Sequence, residues 1–256
     1  MRLDELLLAR GLSESRARAQ AHILSGNVLV NDCPVTKSGH QVLSDADIRF
    51  KKPVSEYASR GAYKLLAALD VFGIDVRDQV LLDIGQSTGG FTDVLLRRGV
   101  NRVIGVDVGY GQLHPHIRQD PRVWAIERCN ARHLTRDQLE KLIRRPASET
   151  QDILNQIEGF VMDVAFISVT KILPAISALL APKAWGVILI KPQFEASRDQ
   201  VEAGGIIKNQ QILKNVLLAV SEQVAQQGWV TRAMCPAPIK GAEGNQEYLL
   251  WVTNYL

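Results

Sequence analysis

Residues 80–93 read VLLDIGQSTGGFTD, an apolar run that ends at an acid and then breaks into glycines. The pattern predicts a buried strand, a loop and a helix that begins near Phe91. Gly85, Gly89 and Gly90 permit positive φ and a close approach of a ligand to the backbone, and the helix start offers unpaired N–H groups. We therefore predict a nucleotide-binding loop, although an ordinary strand-turn-helix has the same outline.

Three kinds of nucleotide loop can be compared with this stretch. A phosphate-binding P-loop has Lys and Ser/Thr after its last glycine, whereas this loop continues Phe91-Thr92-Asp93, and the dinucleotide G-x-G-x-x-G spacing is also absent. A second apolar run, residues 102–107, again ends in an acid, Asp107, which can accept both hydroxyls of a ribose. A ligand with a ribose and no phosphate requirement is S-adenosylmethionine, which we predict as the cofactor.

Composition limits the class of protein. The chain has 256 residues, 46% of them apolar and 22% charged, and no apolar run of membrane-spanning length. Its start lacks the basic-then-apolar pattern of a signal peptide, so we expect a cytoplasmic protein without a membrane partner. The cysteines Cys33, Cys129 and Cys235 and the scattered histidines lack metal-ligand spacing, so we predict no metal. The formal net charge of +3 is compatible with a polyanionic partner but does not establish one.

The first ~50 residues have the pattern of a separate module. A helix from Arg2 to Arg10 is expected to end at Gly11, and a second helix to open at Ser13. We expect that second helix to carry Arg16 and Arg18 opposite an apolar face of Ala17, Ala21 and Leu24, and a short strand, residues 28–31, to follow.

This module resembles the S4 RNA-binding domain. The similarity rests on Arg2-Leu3-Asp4, on Ser15-Arg16, and on the run Ile23-x-x-Gly26-x-Val28-x-Val30-Asn31. The resemblance implies that RNA is bound by basic residues of the helices and the strand loop, which here are Arg2, Arg16, Arg18 and Lys37. From charge alone, a solvated helix face would be the favoured interpretation.

The remainder of the chain alternates between strands and helices. Lys51-Lys52-Pro53 interrupts the patterning, so we predict an S4-type domain over residues 1–52, a linker over 53–58 and a second domain over 59–256. Strand-helix alternation predicts an α/β fold with a parallel sheet covered on both faces and a ligand site at the carboxyl ends of the strands. Polar residues stand at or just past those ends, namely Asp83, Asp107, Asn130, Asp163 and Lys191.

Several longer motifs resemble the TlyA family. They are Ser59-Arg60-Gly61-x-x-Lys64-Leu65, the glycine loop, Val106-Asp107-Val108-Gly109-Tyr110-Gly111, Lys191-Pro192-Gln193-Phe194-Glu195 and Lys240-Gly241-x-Glu243-Gly244-Asn245-x-Glu247. Members join an S4 domain to an FtsJ-type, Rossmann-like methyltransferase domain; they are described as ribosomal-RNA 2′-O-methyltransferases and also as hemolysins.

The resemblance implies a ribosomal-RNA or ribosomal-subunit partner and a catalytic tetrad of Lys64, Asp163, Lys191 and Glu247. The residues proposed to bind the cofactor are Asp83, Gly85, Ser87, Thr88, Gly89, Gly90, Phe91, Asp107 and Asn130.

The tetrad has a chemical rationale of its own. A ribose 2′-hydroxyl must lose its proton as it attacks a sulfonium methyl, so a base is required. Lys191 could serve if it is partly desolvated and Lys64 is a neighbouring cation, with Asp163 and Glu247 orienting the ammonium groups. Each residue alone could equally form a structural salt bridge. Gln86 departs from the small residue usual in this loop, and its side chain either crowds the methionine end of the cofactor or points to solvent.

Two further functions remain open from the sequence. One is a non-catalytic RNA-binding or ribosome-associated protein that keeps the fold, which cofactor binding would distinguish from an enzyme. The other is a pore-forming hemolysin, for which the sequence shows no membrane span or amphipathic barrel pattern.

Overall fold

The computed structural model describes residues 1–51, 56–143, 145–202, 204–241 and 243–255. The chain forms two compact units, Met1–Glu56 and Tyr57–Leu256. Half of the predicted linker, residues 53–55, lies outside the described residues, and the proposed domain boundaries remain predictions.

The first unit packs two helices against a small antiparallel sheet of order β2-β1-β3. Leu3, Leu6 and Leu7 of the first helix and Ile23 of the second are buried in its core. The elements are α1 (Leu3–Ala9), α2 (Arg16–Leu24), β1 (Val28–Val30), β2 (Cys33–Val35) and β3 (Ile48–Phe50).

Two expectations for α2 are wrong. The helix is capped by Ser15, whose hydroxyl accepts from the Arg18 N–H, and not by Ser13, because only Ser15 stands three residues before that N–H. The buried face contains Ala19 and Ile23, whereas the predicted apolar residues Ala17, Ala21 and Leu24 are exposed. Alanines fit either face of a helix, so they are poor guides to its orientation.

The second unit is a seven-stranded sheet with helices on both faces. Its elements are α3 (Ala62–Phe72), β4 (Val80–Ile84), α4 (Gly90–Arg97), β5 (Arg102–Val106), α5 (Pro115–Gln119), β6 (Val123–Ile126), α6 (Arg136–Leu142), α7 (Ala147–Leu154), β7 (Ile157–Met162), α8 (Leu173–Ser177), β8 (Trp185–Ile190), α9 (Pro192–Glu195), α10 (Gln210–Gln226), β9 (Val230–Pro236) and β10 (Tyr248–Thr253).

The strand order is β6-β5-β4-β7-β8-β10-β9. The first five strands are parallel, as predicted, but β10 runs antiparallel to β8 and pairs antiparallel with β9. The expectation of a wholly parallel sheet is therefore wrong at one edge. β9 and β10 are joined by a loop without a crossover helix, which permits only antiparallel pairing of the two.

Successive side chains of a buried strand point to opposite faces of the sheet, so the core consists of two apolar clusters, one on each face. On β4, Val80, Leu82 and Ile84 pack into one apolar cluster, while Leu81 packs into the cluster that contains α3 and α4. The order in which strands are added to the sheet reverses at β4, with β5 and β6 on one side of it and β7 and β8 on the other, which opens a crevice at the carboxyl ends of these strands. The mixed α/β architecture thus confirms the predicted fold class.

Candidate active site

A cavity of about 460 Å³ lies at that crevice, and we call it the main cavity of the candidate site. The carboxyl ends of β4, β5, β7 and β8 contribute Gly85, Asp107, Asp163 and Lys191 to its wall. Apolar side chains complete it, among them Val108, Val164 and Ile167. The cavity therefore offers polar groups at the strand ends and an apolar wall.

Asp107 is held at the end of β5 by two backbone amides. The Ser87 N–H donates to Oδ2 at 2.7 Å and the Gly109 N–H donates to Oδ1 at 2.6 Å. Each carboxylate oxygen has a second lone pair, so an oriented Asp107 can still accept two hydroxyl groups. This geometry fits a ribose, as required of an S-adenosylmethionine site.

The glycine loop passes close to the backbone that follows β7, the strand beside β4 in the sheet. Gly85 has φ +84°, and a Cβ placed there would lie 2.2 Å from the Asp163 carbonyl oxygen. Any other residue would push the loop away from β7 and change the shape of the cavity. The sequence thus requires glycine here for backbone approach as well as for conformation.

The predicted cofactor residues divide into three groups. Gly85, Ser87, Asp107 and Asn130 line the main cavity, and Gly85 and Ser87 also line a smaller pocket of about 90 Å³ with Thr88, Gly90 and Phe91. The side chain of Asn130 accepts from the Arg132 N–H, which orients it at the rim. Asp83 and Gly89 line neither space.

Asp83 belongs to a buried polar chain beneath the loop. Thr92 Oγ1 donates to Asp83 Oδ2 at 2.6 Å, and Gln86 Nε2 donates to Thr92 Oγ1 at 2.9 Å. Asp83 Oδ1 has no hydrogen-bond partner among the described residues. Burial, with smaller contributions from Asp163 and Asp107, raises the pKa of Asp83 to about 7.

Gln86 occupies neither of the positions that the sequence left open for it. Its side chain is buried against Gly105, where a Cβ would lie about 2 Å from the Gln86 amide. Gly105 is paired in register with Asp83, so the missing side chain makes the space that Gln86 fills. The long side chain is therefore accommodated within the fold and bonded to Thr92.

The four tetrad residues form two ion pairs. Lys191 Nζ lies 2.6 Å from Asp163 Oδ1, outside hydrogen-bond angles, and both side chains line the main cavity. Lys64 Nζ donates to Glu247 Oε2 at 2.5 Å, and this second pair is almost fully buried. Extending the β8–β10 register by one residue beyond Tyr248↔Ile190 places Glu247 opposite Lys191.

Phe166 was not identified from the sequence. It lines the cavity with 88% of its surface exposed, has φ +64°, and lies 5.1 Å from the Phe194 ring, centroid to centroid. Its segment is fixed by Glu195, which accepts from the Val169 N–H. The order Asp163-Val164-Ala165-Phe166 has no periodicity that would distinguish this phenylalanine from a core residue.

Two of the arginines predicted to bind RNA contact a buried acid of the first unit. Arg2 and Arg16 both donate to Asp4, which also accepts from Gln20, and these contacts hold the pKa of the Asp4 carboxyl well below its usual range. Arg18 pairs with Glu14, and Lys37 is exposed. The structure thus brings Arg2 and Arg16 together at Asp4.

The residues that the structure describes lack a membrane-spanning helix and a metal-binding cluster. None of their helices is long and apolar enough to cross a membrane. They also contain no cluster of three or more His, Cys, Asp or Glu side chains suited to a metal ion.

The fold is that of a Rossmann-like methyltransferase that uses S-adenosylmethionine, as predicted. It has the strand order that reverses at β4, the glycine loop after β4 and an acid, Asp107, after β5. Residues 57–254 match the FtsJ-like methyltransferase family and residues 1–48 match the S4 domain. The chain belongs to the TlyA family of FtsJ-like methyltransferases that carry an S4 domain.

Individual relatives agree with this assignment. The chain is 40% identical to the 16S/23S rRNA (cytidine-2′-O)-methyltransferase TlyA of Mycobacterium tuberculosis over 98% of this chain and 89% of that protein. It is 34% identical, with a TM-score of 0.73, to the solved structure of a candidate hemolysin from Streptococcus thermophilus, covering 99% of this chain and 88% of the other. An S-adenosylmethionine-dependent methyltransferase from Mesorhizobium loti shares the fold, with a TM-score of 0.50 at 14% identity over 73% of this chain and 95% of the other.

Proposed function

We propose that the protein transfers a methyl group to the ribose 2′-hydroxyl of a nucleotide in ribosomal RNA. The observation that supports this most is that the Asp163–Lys191 pair, which contains the candidate proton acceptor, lines the same cavity as Asp107, the candidate acid for the ribose. The name of the M. tuberculosis relative supports the substrate class, and the S4 match supports an RNA partner.

Bound S-adenosylmethionine supplies an electrophilic methyl group on a sulfonium. The attacking hydroxyl must lose its proton, and Lys191 is the cavity-lining lysine placed to contact it. Asp163 fixes the position of the Lys191 ammonium through their 2.6 Å contact. A base role for Lys191 therefore requires this contact to open when RNA binds, whereas a role in holding the oxygen does not.

The exposed ring of Phe166 supplies a surface for the target base. Proteins that act on unpaired RNA bases commonly stack them on aromatic side chains. Because Phe166 and Lys191 line the same cavity, a base on this ring would bring its ribose toward Lys191. Lys64 and Glu247 are buried and would not contact the RNA. Their ion pair would instead fix the β9–β10 loop, which lies next to the end of β8.

Lys191→Ala tests the proposal. The variant should fold and bind S-adenosylmethionine like the parent, yet lose on the order of 10²-fold or more in single-turnover methylation of ribosomal subunits, measured by mapping ribose methylation. The matched control is Lys214→Ala, which removes an exposed lysine of α10. A folded Lys191→Ala protein that methylates at the parental rate would contradict the proposed role. Absence of cofactor binding by the parent, even with ribosomal subunits present, would favour the non-catalytic alternative.

A further inference from the structure

Asn245 lies in the loop between β9 and β10, two residues before Glu247, and only 4% of its surface is exposed. Its side chain bonds two backbone groups of a distant segment. Oδ1 accepts from the Ile207 N–H at 3.1 Å, and Nδ2 donates to the Gly205 carbonyl at 2.6 Å. A buried amide is thus used in both of its hydrogen-bonding capacities.

That distant segment, which we call the strap (Glu202 and residues 204–208), also bonds to itself. Glu202 and Ile206 form an antiparallel bridge, and Lys208 pairs with Glu202 at 2.7 Å. Gly204 and Gly205 have φ +88° and +76°. The strap therefore has its own local structure, and Asn245 makes two hydrogen bonds that connect it to the β9–β10 loop.

The backbone of Asn245 bonds to Gly241, which lies against the Glu247 carboxylate. The Asn245 carbonyl accepts from the Gly241 N–H at 2.9 Å. A Cβ on Gly241 would lie 2.5 Å from Glu247 Oε1, so the loop backbone closes directly over this carboxylate. Glu247 Oε2 in turn accepts from Lys64. Asn245 thus stands between the strap and the buried ion pair.

We propose that Asn245 is a positioning residue that uses the strap to fix the loop over Glu247, and so sets the Lys64–Glu247 pair for methyl transfer. The amide donates to the Gly205 carbonyl with Nδ2 and accepts from the Ile207 N–H with Oδ1 at once. An aspartate of the same shape could still accept from Ile207, but it would place a carboxylate oxygen against the Gly205 carbonyl. The inference rests on the proposed function for the role of Glu247, whereas the connection itself is independent of it.

Hydrogen exchange on the parent protein tests the connection without substrate. If Asn245 joins the two segments, the amides of Ile207 and of residues 245–247 should open together, with the same protection factor within about threefold. Protection of residues 245–247 that exceeds that of Ile207 by tenfold or more would overturn the proposal. This measurement needs no variant, so it stands even if a substitution prevents folding.

Asn245→Asp tests the consequence for activity. We expect faster exchange in both segments, unchanged S-adenosylmethionine affinity, and a loss of tenfold or more in kcat with KM for ribosomal subunits changed less than threefold. The control is Asn209→Asp, the same change at the cap of α10, where an aspartate can still accept from the Gln211 and Ile212 N–H groups. An Asn245→Asp protein with faster exchange at residues 245–247 and parental kcat would overturn the proposal. If the parent shows no methylation while the two segments open together, the proposed function fails and the connection stands.

Discussion

Asp107 shows how one side chain can be preorganised for a ligand. Both of its oxygens are held by backbone amides from two segments that follow adjacent strands, so its orientation is set before any ligand binds. Asp83, only one strand away, has the opposite environment. Its side chain is fully buried, its Oδ1 has no partner among the residues that the structure describes, and burial raises its pKa to about 7. Two acids that look equivalent in the sequence therefore differ in their surroundings, since one lines the cavity and the other supports the loop.

Asp107→Ala should weaken S-adenosylmethionine binding by about 1–3 kcal/mol, because two ribose hydroxyls lose their proposed acceptor. Part of the turnover should return at high cofactor concentration. Calorimetric titration measures the affinity, and far-ultraviolet circular dichroism checks that the loop variant is folded. Parental affinity would show that Asp107 does not bind the ribose.

Asp83→Asn should change the pH dependence of stability. Between pH ~4 and ~7 the folded protein keeps a proton on Asp83 that the unfolded chain has released, so the free energy of unfolding falls as pH rises across this window and levels off above it. A difference of about 3 pKa units sets an upper bound of about 4 kcal/mol. Measured by urea unfolding, the free energy of unfolding should fall less from pH 5 to pH 8 in Asp83→Asn than in the parent. The exposed change Asp152→Asn is the control, and an unaltered pH slope in Asp83→Asn would disprove the assignment.

At the scale of elements, the β9–β10 pair completes the site. The five parallel strands supply Asp107, Asp163 and Lys191, but Glu247 enters only because β10 inserts between β8 and β9 and runs antiparallel to β8. α3 then presents Lys64 to Glu247 from the helix layer. The second ion pair is thus a contact between the residue that precedes β10 and a helix that lies far away in sequence.

Removing one partner of the buried Lys64–Glu247 pair should lower the stability of the fold more than replacing both partners with apolar residues. Lys64→Met leaves Glu247 buried without a cation, which should destabilise the fold by about 3–5 kcal/mol. Lys64→Met combined with Glu247→Met should recover most of that loss, because no buried charge is left unpaired. Denaturant unfolding of the single and double variants measures the difference, and a double variant as unstable as the sum of the singles would contradict it.

At the scale of the molecule, the two units have separate cores and separate sets of charged residues. In the first unit, Asp4 holds Arg2 and Arg16 on one side of α1 and α2. Half of the Arg16 side chain and more than a third of the Arg2 side chain remain exposed. We propose that these arginines contact RNA phosphates while the second unit carries out the chemistry.

Arg2→Ala combined with Arg16→Ala should weaken RNA binding and reduce the log–log salt slope by about 1.4–1.8, since each lost phosphate contact removes roughly 0.7–0.9. Cofactor binding should be unchanged. Arg77→Ala with Arg98→Ala is a control of equal charge change, at exposed positions next to the amino end of β4. RNA affinity equal to the parent at two salt concentrations would mean that the arginines only stabilise Asp4.

The sequence determined the α/β class, the glycine loop, the acid after β5 and the S4-like module, because each depends on local patterns of apolar residues, glycines and strand ends. The cofactor prediction is confirmed at the level of the family, whereas the tetrad remains a proposal. Only the tertiary structure decided which residues meet: that Gln86 is buried over Gly105, that Asp83 lies below the loop, that Phe166 is exposed at the cavity, and that Asn245 reaches the strap. The hydrogen bonds among these contacts join residues that lie from nine to 40 positions apart in the chain. Their geometry depends on strand register and layer packing, which short-range periodicity does not encode.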